Sequence, residues 1–300
     1  MKVYDIPFSE LLGRETGPYK AFYRPEPRAS YMTAYIPDAW CPEGGKVLDF
    51  NRKRPAVVLF PGGGYHLSYE GEGEPVALQF CAAGACVFEV RYSVVDLTDL
   101  RGEPLFPQPL EEALTAVRYV RGHAEEFGID PHNIAVMGFS AGGHVAGMAG
   151  TLWNKPCAAP FEEGPAEAYR PDKMILCYPV LSSGKFAHRE SFRFLMGDEA
   201  SGEELESVSI ELQADAQTPP AFLWHCEDDG CVPCENSRMM KAKLDALGIP
   251  CELHLYPRGG HGGSLGTYLT GDDHEVPSGY AGWIRDAIRF LFDHDPCLGE

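Results

Sequence analysis

The fold class this sequence predicts is α/β: a mostly parallel, doubly wound sheet flanked by helices. Three observations carry it. Short continuous apolar runs recur along the chain, as expected of strands buried on both faces. Amphipathic stretches ending in glycine alternate with them. The run Asn133-Ile134-Ala135-Val136-Met137 leads directly into Gly138-Phe139-Ser140-Ala141-Gly142 and a small-residue helix beginning near Ala141. Strands alternating with helices imply a parallel sheet with the site at the carboxyl ends of its strands.

Residues 1–30, rich in Pro, Arg and Tyr, read as an N-terminal arm wrapped on a single domain spanning 31–300. Tyr31–Ile36 reads as an edge strand, followed by a turn over Pro37–Gly45. Pro55–Phe60, ending in Pro-Gly, and Cys86–Tyr92 carry the signature of buried parallel strands, with a helix over Glu74–Ala83 between them that stops at Gly84. Pro109–Phe127 places Leu110, Ala113, Leu114, Val117 and Val120 on one side of a second helix, ended by Gly128. Lys173–Pro179 and Ala221–Cys226 predict two further strands. A helix over Glu235–Leu247 stops at Gly248, Cys251–Tyr256 alternates as a late strand, and Gly279–Phe292 closes the domain as an amphipathic helix. Residues 183–219 mix Phe186, Phe192, Phe194 and Leu195 with Glu203, Glu204 and Glu206. They read either as a small cap over the site or as a long crossing with one helix.

The chain has 300 residues, 44% of them hydrophobic, enough for one substantial core. Its formal net charge of −19 argues against nucleic acid or an anionic membrane surface as partner and favours neutral substrates. No apolar segment follows Met1-Lys2-Val3-Tyr4-Asp5 and no run approaches membrane-spanning length, so a cytoplasmic location is expected. Several of the ten cysteines (Cys81, Cys86, Cys177, Cys226) lie inside apolar runs as small hydrophobes. Cys231-Val232-Pro233-Cys234 has the spacing of a redox or zinc half-site but lacks a second pair, which favours a structural role. Neither metal nor cofactor is expected, and the sequence is silent on oligomeric state.

The chemistry starts from Ser140. Between a strand and a helix, a G-x-S-x-G pentad is a nucleophile elbow, where side chains at the two glycine positions would strike neighbouring backbone. A serine hydroxyl needs an adjacent base, itself oriented by a carboxylate, and in this fold class both follow the serine in the chain. His261, set in Gly259-Gly260-His261-Gly262-Gly263 after the late strand, is the candidate base. His188, His254, His274 and His294 read as surface or core histidines. Glu227, Asp228 and Asp229 follow a strand end. Asp229, opening the D-x-x-V-P arrangement with Val232 and Pro233, is favoured as the acid, with Asp228 the alternative. The oxyanion needs N–H donors from the residue after the nucleophile and from a loop after an earlier strand. Ala141 meets the first requirement, and Gly63 and Gly64 of Pro61-Gly62-Gly63-Gly64-Tyr65 meet the second. No Gly-Lys-Ser/Thr follows that triple glycine, so it is not a phosphate loop. Tyr65 is a candidate for narrowing the substrate pocket.

Together, Pro61-Gly62-Gly63-Gly64-Tyr65, Glu74-Pro75-Val76-Ala77, Arg91-Tyr92-Ser93, Gly138 to His144, Trp224-His225 with Asp229, Val232 and Pro233, Glu235-Asn236-Ser237 and Gly260-His261-Gly262 resemble the acetylxylan-esterase-like branch of the α/β-hydrolases. The chain also resembles the hormone-sensitive-lipase-like esterases, with Pro61 where their H-G-G-G motif has histidine. The resemblance, over roughly residues 30–295, implies the α/β-hydrolase fold, a serine carboxylesterase acting through Ser140, His261 and Asp229, and short-acyl substrates such as acetylated xylan-type oligosaccharides. It departs at Cys226-Glu227-Asp228, where small neutral or hydroxyl residues are common, and this keeps Asp228 in play. Relatives that cleave N-formylkynurenine make an aryl formamidase the alternative. A ligand-binding relative without turnover has no need of all three site residues.

Overall fold

The computed structural model describes residues 1–22, 28–38, 53–97, 104–158, 164–270 and 279–293. Eight strands form one sheet: β1 (Lys2–Pro7), β2 (Tyr31–Ile36), β3 (Arg54–Phe60), β4 (Cys86–Arg91), β5 (Ile129–Phe139), β6 (Lys173–Cys177), β7 (Ala221–Cys226) and β8 (Cys251–Tyr256). Their order is β1-β2-β4-β3-β5-β6-β7-β8. β1 and β2 are antiparallel to their neighbours, and the six strands from β4 to β8 are mutually parallel.

The helices are α1 (Phe8–Leu12), α2 (Glu74–Ala82), α3 (Gln108–Gly122), α4 (Ala124–Phe127), α5 (Ser140–Leu152), α6 (Arg189–Met196), α7 (Gly202–Ser207), α8 (Ile210–Gln213), α9 (Glu235–Ala246) and α10 (Trp283–Phe292). Side chains of successive strand residues leave on opposite faces. Ala56, Val58 and Phe60 accordingly join a core with α3, α5 and α9. Val57 and Leu59 join a second core with Val76, Ala77 and Phe80 of α2 and Trp283, Ala287 and Phe290 of α10. Because both faces are covered, the central strands read as unbroken apolar runs. β8, half-buried at the edge, keeps its alternation.

Three expectations change. Tyr31–Ile36 is not the edge, because Lys2–Pro7 of the expected arm pairs outside it, Lys2 opposite Ile36. β1 is exposed except near Ile6 and so has none of the apolar patterning of a buried strand. The helix expected over Pro109–Phe127 breaks at His123 into α3 and α4, just after Gly122, a poor helix former. The 183–219 segment carries three short helices, α6, α7 and α8, instead of one. Its residues Phe192, Phe194, Leu195, Val208 and Ile210 are buried in the first core. The turn expected over 37–45 lies largely outside the described residues. Among the described residues no helix is long and apolar enough to cross a membrane.

Strand order reverses between β3 and β5, each leading to different flanks of the sheet. A crevice opens at such a switch point, beyond the carboxyl ends of the strands. Phe60 lies opposite Gly138, so the glycine-rich loop and the serine turn leave adjacent strands at one level. Cys226 lies opposite Tyr256, which does the same for the loops holding Asp229 and His261.

Candidate active site

The backbone bends at once from β5 into α5, and Ser140 sits at the bend with φ +51°. A Cβ on Gly138 would lie 2.0 Å from the carbonyl oxygen of Gly142, and one on Gly142 would lie 2.1 Å from that of Phe60. Only glycine fits at either position, which is the physical content of the pentad.

His261 Nε2 lies 2.8 Å from Ser140 Oγ, and His261 Nδ1 lies 2.6 Å from Asp229 Oδ2. The carboxylate only accepts, so Nδ1 carries the ring proton and Nε2 presents its lone pair to the serine hydroxyl. Asp229 Oδ1 accepts the N–H groups of Cys231 at 2.9 Å and Val232 at 2.8 Å, fixing the carboxylate plane. Burial pushes the Asp229 carboxyl upward. Hydrogen bonds from His225 and His261, the charge of His261 and the Val232 N–H outweigh it and hold the group well below the usual carboxylate range. Asp228 is exposed and accepts the Gly260 N–H at 2.9 Å, so it braces the histidine loop from outside.

The glycine loop lies beside the serine. The Gly62 N–H is taken by Glu72 Oε2 at 2.6 Å, and the Gly63 carbonyl accepts the N–H groups of His66 and Leu67. Among the described residues no hydrogen bond occupies the N–H of Gly63 or Gly64. Ala141 lies in the first turn of α5, where N–H groups lack intrahelical partners. Gly63 (φ +132°) and Gly64 (φ +62°) both take left-handed conformations suited to glycine.

Tyr65 does not narrow a pocket. Its φ of +67° turns the side chain beneath the loop, where it is wholly buried and bonded through its hydroxyl to His144 Nδ1 at 2.7 Å. His144 donates from Nε2 to the Val208 carbonyl at 2.7 Å, tying the elbow helix to the 183–219 segment. His188, at the start of α6, is bonded to Ser191 Oγ, and His254 packs on Phe222 in β8. His274 and His294 lie outside the described residues. Cys231 is exposed, Cys234 is buried, and both are free thiols.

Sequence reasoning missed several supports. His225, wholly buried, donates from Nε2 to the Val232 carbonyl at 2.9 Å and stands 3.2 Å from Asp229 Oδ2. Asn236 Oδ1 accepts the N–H groups of Leu181 and Ser182, and its Nδ2 donates to the carbonyls of Phe186 and Pro233. Glu72 and Tyr178, whose side chains meet at 2.6 Å, form a further buried pair beside the site. Only the Trp224-His225 and Glu235-Asn236-Ser237 motifs flagged any of these positions.

Residues 48–244 match the sequence model of the BD-FAE family, well over half of the chain. A xylanase B of Butyrivibrio fibrisolvens, named endo-1,4-beta-xylanase B, is 37% identical over 77% of this chain and 35% of its own length. An acetylxylan esterase of Xylanibacter ruminicola is 29% identical over 84% of this chain and 50% of its own length. The chain thus spans about a third to a half of these curated relatives. The crystal structure of an acetyl ester-xyloside bifunctional hydrolase from Caldicellulosiruptor lactoaceticus superposes with a TM-score of 0.72 at 33% identity, covering 89% of this chain and 88% of that one. With its eight-stranded sheet, elbow and strand-end loops, the chain has the α/β-hydrolase fold and belongs to the BD-FAE family.

Proposed function

We propose that this chain is a serine carboxylic ester hydrolase removing short acyl groups, acetyl foremost, from neutral xylan-type oligosaccharides. The carrying observation is the line from Asp229 through His261 to Ser140, with contacts of 2.6 and 2.8 Å, beside a loop whose Gly63 and Gly64 N–H groups have no partner among the described residues. Ser140 Oγ attacks the acyl carbonyl carbon while His261 Nε2 takes the hydroxyl proton. Asp229 holds the ring and stabilises the imidazolium. Donors on Gly63, Gly64 and Ala141 receive the developing oxyanion; one such donor is worth about 10²–10³ in kcat. His261 then protonates the departing sugar oxygen, leaving an acyl-enzyme on Ser140. A water deprotonated by the same ring attacks that ester, and acetate leaves.

The acetyl and sugar preferences rest on the named activities of the Xylanibacter and Caldicellulosiruptor relatives and on the acidic balance of the chain, which disfavours anionic substrates. A substrate series tests them: acetylated xylo-oligosaccharides, p-nitrophenyl acetate and octanoate, and N-formylkynurenine. Acetate release from the oligosaccharides, with acetyl exceeding octanoyl turnover, is expected. Turnover of N-formylkynurenine above that of every acetyl ester would replace the reading with the aryl formamidase.

A further inference from the structure

Glu72 is a buried carboxylate that the reaction above does not use. Its side chain is 2% exposed, and both oxygens are occupied by neutral donors. Oε2 accepts the Gly62 N–H and Oε1 accepts the Tyr178 hydroxyl, each at 2.6 Å. Gly62 is the residue before Gly63, and a Cβ placed on it would lie 2.8 Å from Glu72 Oε2 and 3.0 Å from Ser140 Cβ. The carboxylate is thus one residue's thickness from the nucleophile.

The Tyr178 oxygen in turn accepts the Ser264 N–H at 3.0 Å, and Ser264 Oγ donates to the Gly71 carbonyl at 2.7 Å. The Tyr178 ring meets that of His261 edge-on, centroids 5.0 Å apart. Ser140, Tyr178 and Ser264 all hold positive φ, of +51°, +34° and +49°. Such backbone persists in non-glycine residues only where the surroundings over-determine it. One carboxylate therefore joins the glycine loop on one side of Ser140 to the histidine loop on the other.

We infer that Glu72 is a positioning residue that, as a carboxylate, sets the oxyanion donors and the His261 loop in register around Ser140. This rests on the esterase reading of the same site. The ionised form is the one that accepts from both partners at once. The Gly62 N–H can only donate, and the Tyr178 hydroxyl, its oxygen taken by Ser264, turns its proton to Glu72. A proton on Oε2 opposes the Gly62 N–H, and one on Oε1 reverses the Tyr178 bond and turns that hydroxyl proton away. Burial pushes the carboxyl up to about 7, against the pull of Tyr178, Gly62 and the positive charge of His261. The other titratable groups acting on it are Tyr92 and Cys177, both neutral in this range because burial raises them further. Protonation of Glu72 then slows the reaction, and its proton steepens the acid limb of the kcat/KM profile.

The test compares parent, Glu72→Gln, Tyr178→Phe and Ser140→Ala on p-nitrophenyl acetate from about pH 5 to 9, with melting curves for each. Gln keeps the shape but either sets its N–H₂ against the Gly62 N–H or donates to the Tyr178 oxygen and turns that hydroxyl proton away. Its kcat is expected to fall by about 10²-fold, the loss expected when donors are displaced by about 1 Å, with KM little changed. Its acid limb is expected to be less steep than the parent's. A kcat near parental, a loss in KM alone, or an acid limb of unchanged steepness would overturn the inference. If Glu72→Gln does not fold, Tyr178→Phe, which leaves the carboxylate in place, must still lose kcat. Ser140→Ala separates the two readings: inert Ser140→Ala with parental Glu72→Gln sinks only the positioning role, whereas active Ser140→Ala sinks the esterase assignment.

Discussion

Replacing Asp229 with asparagine isolates the orienting carboxylate with almost no change of shape. Oδ1 is held by two backbone N–H groups at 2.9 and 2.8 Å, so the asparagine oxygen takes that place and its N–H₂ takes the place of Oδ2. There it faces the Nδ1–H of His261, formerly 2.6 Å from an acceptor, and the Nε2–H of His225, 3.2 Å away. His261 restores a hydrogen bond only by moving its proton to Nε2, which then donates to Ser140 and is no longer a base. Loss of the base by tautomer reversal costs about 10⁴ in kcat, or about 5 kcal/mol in the barrier. Asp228→Asn is the matched control. It keeps an oxygen for the Gly260 N–H and removes only an exposed charge, so its rate is expected within about threefold of parental. The assay is steady-state hydrolysis of p-nitrophenyl acetate, with melting curves to show that both variants fold. A folded Asp229→Asn within about tenfold of the parent, or an Asp228→Asn as impaired as Asp229→Asn, would refute the reasoning.

Asn236→Asp puts an oxygen against the carbonyls of Phe186 and Pro233, which its N–H₂ now satisfies at 2.9 and 3.0 Å. Stability is expected to fall by about 2–4 kcal/mol, and an unchanged Tm would contradict the anchoring role. Burial pushes the Glu112 carboxyl up to about 7 against the bonds from Ser30 and Ser93. Its folded value lies above its unfolded one, so its contribution is present below about 4.5 and is lost as pH rises through about 7. The Tm of the parent relative to Glu112→Gln should therefore be higher at pH 5 than at pH 8, and an equal difference at both would count against it. Cys231→Ser with Cys234→Ser keeps every backbone donor to Asp229 and removes only free thiols, so esterase rates should stay parental; a large loss would reinstate a thiol role.

Much of this site was legible because its determinants are local. The pentad demands glycine on steric grounds that involve residues 138 to 143, the end of β3 and Pro61 just after it. Strands covered on both faces announce themselves as apolar runs, as Ala56–Phe60 and Ala221–Cys226 do. The failures are equally physical. β1 is an exposed edge strand held by backbone pairing, and Lys2–Pro7 has no apolar pattern to reveal it. Tyr65 follows the glycine run and invites a place in the pocket, but a single positive φ sends it into the core. Glu72 stands among Glu70 and Glu74 as one of several acids. Its importance comes from Tyr178, 106 residues further along the chain, and from Ser264 beyond that. Such partners are set by topology and carry no short-range signal.

The central claim is that Ser140 forms an acyl-enzyme with acetyl esters of xylan-type sugars. Acetate release from acetylated xylo-oligosaccharides by the parent and by Ser140→Ala, with mass spectrometry of the rapidly quenched parent, tests it most directly. Acetate from the parent, none above background from the variant, and an acetyl group on the peptide bearing Ser140 are the expected results. Equal release by the variant, or an acetyl group trapped on another residue, would contradict the account.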